Sequence, residues 1–166
     1  MAYVPTENIL GLQRIADTET TARHTLGTRI RAVDSTYGEG TFIYLLGVDN
    51  TEVGLMVKWN ATTYQTVILT NTVVQAVPIA VAMSANTGSK YGWYQVEGNA
   101  VIKKTAVKVL AQVTLFISAT AGRVKALASN GLQIVGARSA NLATVTSTTS
   151  TVVVTINNPH CQSQVT

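Results

Sequence analysis

A chain of 166 residues is long enough to bury a core of its own, so neither disulfides nor a structural metal is required to hold one domain together. Hydrophobic residues make up 46% and charged residues only 12% of the chain, roughly half the usual charged share, which points to a surface partly covered by partners. The formal net charge is +4, the single cysteine Cys161 excludes an intramolecular disulfide scaffold, and no stretch reaches the ~18 uninterrupted apolar residues of a membrane helix.

Residues 1–28 are Thr-rich, with Pro5 near the start and apolar positions sparsely placed at Ile9, Leu10, Leu12 and Ile15. Glu7 lies early and no apolar run follows a basic start, so no signal peptide is expected and synthesis in the cytosol is. Glu7 to Ala16 offers too narrow an apolar face for a stable helix, so the segment reads as an arm that orders against something else. On that reading the arm is dispensable for folding and matters for attachment.

From Thr41 the pattern is β. Thr41–Leu46 is an aromatic and β-branched run, followed by Val53–Trp59 and Thr66–Thr70. Val73 to Met83 is almost continuously apolar, as in a strand buried on both faces, with Pro78 marking a bulge or edge. Asn86–Ser89 is a turn. Tyr91–Glu97 is a strand that Gly98-Asn99 interrupts before Ala100–Ile102. Val107–Ile117 alternates, and Gly122 opens a strand around Val124–Leu127. Asn130-Gly131 predicts a two-residue hairpin into Leu132–Gly136, and Leu142–Ile156 is the last element. The sum is an all-β chain: a jelly-roll or β-sandwich-like single domain over 29–158, with an extended N-terminal arm (1–28) and a C-terminal tail (159–166). A compact β-barrel is the alternative.

Charge is unevenly placed along this layout. Arg14, Arg23, Arg29 and Arg31 balance Glu7, Asp17, Glu19 and Asp34 in the first part of the chain, and Ser35–Gly98 carries −2. Beyond Glu97 no acid occurs, while Lys103, Lys104, Lys108, Arg123, Lys125 and Arg138 contribute +6. Such a half could meet nucleic acid or an acidic protein surface; its cations are dispersed with few aromatics among them, which disfavours nucleic-acid readout.

Chemistry-bearing residues do not assemble. His24 and His160 have no partner at metal-ligand spacing, and His160 and Cys161, as neighbours in an extended chain, point to opposite faces. Asp49, Glu52 and Glu39 form no acid–base pair, and Gly38-Glu39-Gly40 lacks the Lys and Ser or Thr of a phosphate loop. No catalytic, metal or cofactor site is expected. Trp59, Trp93, Tyr91 and Tyr94 are candidates for a sugar-stacking platform, with packing in the core or between subunits as the commoner use.

Three stretches carry a family resemblance: His24–Asp34 running into Tyr37–Leu45; Val81–Asn86 with Tyr91–Gly98; and Ala119–Val124 with Val135–Ser139. In order and spacing they cover roughly residues 24 to 140, and the chain resembles the capsid decoration (cement) proteins of tailed bacteriophages. The chain departs from that pattern in Thr144–Thr151, which replaces a shorter closing strand. The resemblance implies a non-enzymatic virion protein on the outer surface of an icosahedral head. Its partners would be the major capsid protein, whose subunits it bridges, and itself as a dimer or trimer, with no membrane and no direct nucleic-acid readout. Candidate contact residues are Tyr3, Ile9, Leu10, Leu12, Arg14, Arg23, Arg29 and Arg31 from the first part of the chain. Lys103, Lys104, Lys108, Arg123, Lys125 and Arg138 are the candidates from the basic half. The rival reading is a carbohydrate-binding or adhesion module of a phage tail or fibre.

Overall fold

Strands form where the β-branched and aromatic runs lie, and the computed structural model describes them over residues 1–72 and 76–163. In chain order they are β1 (Val4–Pro5), β2 (Thr18–Glu19), β3 (Arg29–Asp34), β4 (Gly38–Leu46), β5 (Met56–Trp59) and β6 (Thr66–Ile68). There follow β7 (Ile79–Ala82), β8 (Tyr91–Lys103), β9 (Thr114–Ile117), β10 (Val124–Lys125), β11 (Gln133–Ser139) and β12 (Thr151–Cys161). No described residue is helical, and the chain is all-β, consistent with a sandwich-like domain. The strands pair antiparallel in the order β1-β3-β4-β8-β12-β11-β9-β10, with β7, β5 and β6 branching from β8. β8 is the hinge of this layout: Tyr94 and Gln95 lie between β4 and β7, whereas Glu97 to Lys103 pair with β12.

Three apolar clusters follow from strand alternation. In β4, Phe42 and Tyr44 face one side, with Ile30, Ala32 and Trp93; Ile43 and Leu45 face the other, with Val57, Ala80 and Tyr94. A run buried on both faces has no polar alternation, which is why Phe42–Leu45 reads as continuously apolar. β7 behaves likewise, Ile79 and Val81 entering the third cluster and Ala80 and Ala82 the second. Val73, Val74 and Gln75, which the sequence joins to this run, lie outside the described residues. The third cluster joins Ala100 and Ile102 of β8 to Leu115, Ile134, Val152, Val154, Ile156 and Cys161.

Residues 1–28 run as loops and turns around two short strands, and what they pack on is their own domain. Tyr3 and Ile15 are buried over Phe42, Tyr44 and Trp93, β1 pairs with β3, and β2 pairs with β8. The Ala2 N–H donates to Asp34 Oδ2 at 2.6 Å, which ties the start of the chain to the end of β3. The arm is therefore a lid on one face of the sheet, packed on its own domain where the sequence suggested an outside partner.

Other boundaries move for local reasons. Gly98 does not interrupt β8, which pairs with β12 in unbroken register through it; at φ +94° its backbone approaches Glu39 so closely that a Cβ would strike the Glu39 carbonyl oxygen. Of Val107–Ile117 only β9 is strand, because Gln112 has a positive φ and Val109 bridges instead to Val145. Asn130-Gly131 does make a turn, yet β10 pairs with β9 and β11 pairs with β9 and β12, so it closes no two-residue hairpin. The last strand starts later than Leu142 and runs to Cys161, so Pro159, His160 and Cys161 of the expected tail belong to the sheet. Asn158 takes φ +42° opposite Gly136, and pairing resumes at His160 with Val135.

Candidate interaction surface

The candidate contact residues divide among three places. In the first, the N-terminal lid, Tyr3 is buried and its hydroxyl donates to the Asn99 carbonyl at 2.6 Å, so this ring anchors the lid to the sheet. Ile9 and Leu12 are half-buried against the first cluster, and Leu10 between them is 100% exposed. Arg14 is exposed and lines a 360 Å³ pocket with Met1, Tyr3, Val4, Pro5, Ile15 and Met83. Arg23 is held by Glu19 at 2.8 Å.

The second place is the outer face of β3. Its burial alternates, setting Arg29, Arg31 and Val33 outward, and Val33 lies directly opposite Val4 of β1, also exposed. Arg31 lies 3.6 Å from Glu39, and Arg29 Nη1 donates to Asn158 Oδ1 at 2.8 Å. Asn158 donates in turn to Glu97, whose other oxygen accepts from Thr41 Oγ1 at 2.7 Å. This chain of polar contacts crosses from β3 over β4 and β8 to the end of β12, and sequence reasoning missed Glu97, Val33 and Asn158. The period-two alternation of β3 was the signal that pairs Val33 with Arg29 and Arg31.

The basic half is the third place, and it is less uniform than its sequence. Lys103 forms an ion pair with Glu52. Lys104 is 1% exposed, and its ammonium donates to the Val107 carbonyl at 2.9 Å and the Thr105 carbonyl at 3.2 Å; burial holds it below the usual lysine range. It stitches a loop and is withdrawn from any contact surface. Arg123 Nη1 donates to the Lys104 carbonyl at 3.3 Å and stays half-buried. Lys108 and Arg138 are exposed and Lys125 is half-exposed, Arg138 lying between Thr114 of β9 and Thr155 of β12.

The aromatic candidates separate. Trp93 and Tyr94 are fully buried, on opposite faces of β8, and Tyr91 is half-buried in a stack on Tyr44. Trp59 stacks on Tyr64, ring centroids 5.9 Å apart and 15° from parallel, and borders a 310 Å³ pocket with Arg29, Pro78, Asn158 and His160. Cys161 is buried, and burial pushes its thiol up to about 11 against a smaller opposing pull from Lys58. His160, its neighbour, is exposed on the other face. Among the described residues no three of His, Cys, Asp and Glu gather as metal ligands.

Comparison of the chain with protein-family models, with curated proteins and with solved structures finds no match in any of the three.

Proposed function

We propose that the protein is a non-enzymatic virion component that binds the outer surface of a phage capsid and stabilises it by bridging major capsid protein subunits. One observation carries the reading: the exposed or half-exposed Lys108, Lys125 and Arg138 occupy a half of the chain in which no carboxylate follows Glu97. Exposed cations on a stretch of chain that supplies no acids suit an acidic protein surface repeated many times, where many weak contacts add up. The resemblance of residues 24–140 to decoration proteins supports the same role.

Salt tests it. Raising ionic strength from about 0.1 M to about 1 M shortens the screening length from ~10 Å to ~3 Å, and the protein should leave isolated heads over that range. Lys108→Glu and Arg138→Glu should lower the salt at which it leaves. Occupancy indifferent to salt and to both substitutions overturns the docking surface, and a handful of copies per particle in images of intact virions overturns the capsid location.

A second reading, a carbohydrate-binding module of a tail or fibre, is favoured by the Trp59–Tyr64 stack beside a pocket that also holds Arg29, Asn158 and His160. Glycan-array binding abolished by Trp59→Ala would select it over the first.

A further inference from the structure

We propose that two copies of this chain pair about a two-fold axis through their N-terminal lids, Leu10 of each copy entering the other's pocket between Tyr3, Val4, Ile15 and Met83. The inference is independent of the capsid reading, which concerns the C-terminal half.

Leu10 is a built protrusion. The Ile9 N–H donates to the Glu7 carbonyl at 3.2 Å and the Leu12 N–H to the Ile9 carbonyl at 3.2 Å, and Gly11 completes the turn at φ +71°. The turn folds Ile9 and Leu12 inward and leaves Leu10 100% exposed. The 360 Å³ pocket on the same segment is the matching recess, lined by apolar groups apart from Arg14, with room for a branched aliphatic side chain. Val4 and Val33, 65% and 44% exposed and directly opposite each other, add apolar surface to this part of the molecule.

Charge identifies the occupant as a second copy. Arg14, among the pocket residues, is exposed, and its guanidinium has no hydrogen-bond or ion-pair partner among the described residues. Glu7, on the turn that carries Leu10, is exposed, and among the described residues its carboxylate accepts only the Arg31 backbone N–H, at 3.2 Å. In a two-fold contact, residue i of one copy meets j of the other and j meets i. Seating Leu10 in the opposite pocket then brings Glu7 toward Arg14 twice. Pairing of sheet edges is the poorer route, because β1 is two residues long and Pro5 has no N–H to give.

Sedimentation equilibrium of the full chain over a wide concentration range tests the proposal. The wild type should be dimeric and Leu10→Asp monomeric with an unchanged circular dichroism spectrum, since Leu10 supports nothing in its own copy. Glu7→Arg and Arg14→Glu should each weaken the dimer about tenfold or more, and the double exchange should recover most of that loss. Mixing Leu10→Cys with Val4→Cys copies gives a second readout that needs no loss of fold: an inter-copy disulfide between those positions. A wild type that is monomeric throughout or trimeric overturns the proposal. So does a dimer that Leu10→Asp leaves at wild-type affinity, or a charge exchange that restores nothing.

Discussion

The Tyr44 hydroxyl donates to Gln13 Oε1 at 2.8 Å with both side chains buried, and this bond joins the N-terminal lid to the middle of the sheet. Gln13 is the hub of the lid: its carbonyl accepts from Trp93 Nε1 at 3.0 Å, and its amide donates to the Asp17 carbonyl at 2.8 Å and the Tyr91 carbonyl at 3.3 Å. Gln13→Ala leaves the Tyr44 hydroxyl without that acceptor and is expected to cost about 1–3 kcal/mol of stability. Denaturant unfolding checks the value, and Tyr44→Phe added to Gln13→Ala should cost less than it does alone.

Removing residues 1–16 uncovers Phe42, Tyr44 and Trp93 and takes away Tyr3 and Ile15, which pack on them. The truncated chain is expected to melt well below the full chain, with Trp93 emission shifted to the red in the native state. An unchanged midpoint would show that the lid is a separable arm after all.

His24 sets a pH dependence. Its Nε2 accepts the Gln13 N–H at 3.3 Å, and its ring packs on Tyr44 and Trp93, so the folded state needs neutral imidazole. Burial and then the neighbouring Arg23 charge lower its pKa below the usual value of ~6.5. The unfolded chain therefore takes up the proton first as pH falls. Stability is complete above ~6.5, declines through the folded-state pKa and then levels, and His24→Gln should remove this part of the slope.

Cys161 acts at the other end of the scale. Its folded-state pKa of about 11 lies above the ~8.5 of a free thiol, so the unfolded chain ionises first as pH rises. Stability is expected to be full below ~8.5 and to decline toward pH 11. The native thiol should resist alkylation until denaturant opens the core.

Gly98→Ala is expected to cost about 1–3 kcal/mol or more, because it combines a positive φ with a Cβ that meets the Glu39 carbonyl. Gly131→Ala is the control: its φ is +71°, yet nothing lies within 4 Å of the new Cβ, so only the backbone term of about 1 kcal/mol applies. Equal losses at the two sites would mean that the close approach at Gly98 contributes nothing.

The candidate surface was partly legible before folding. Leu10 was among the residues singled out, but Ile9, Leu10 and Leu12 are alike in kind, and only the turn at Gly11 decides which of them faces water. Lys104 reads as one more surface cation beside Lys103. Alternation along β8 carried a usable signal, since Ala100 and Ile102 are buried and Lys104, just past its end, continues that alternation while Lys103 is less buried. Glu97 and Asn158 were beyond reach, because 61 residues separate two groups that one hydrogen bond joins.

Period-two alternation and turn residues were enough to establish an all-β chain and to place the strands of its middle section. They work because a strand's faces depend only on its own sequence. Which strand lies beside which, and whether residues 1–28 stand free or cover Trp93, depended on partners far away along the chain. Only the tertiary structure decided those points: burying Tyr3 and Ile15 against Phe42 and Trp93 outweighs the freedom of a loose arm, and no local pattern records that balance.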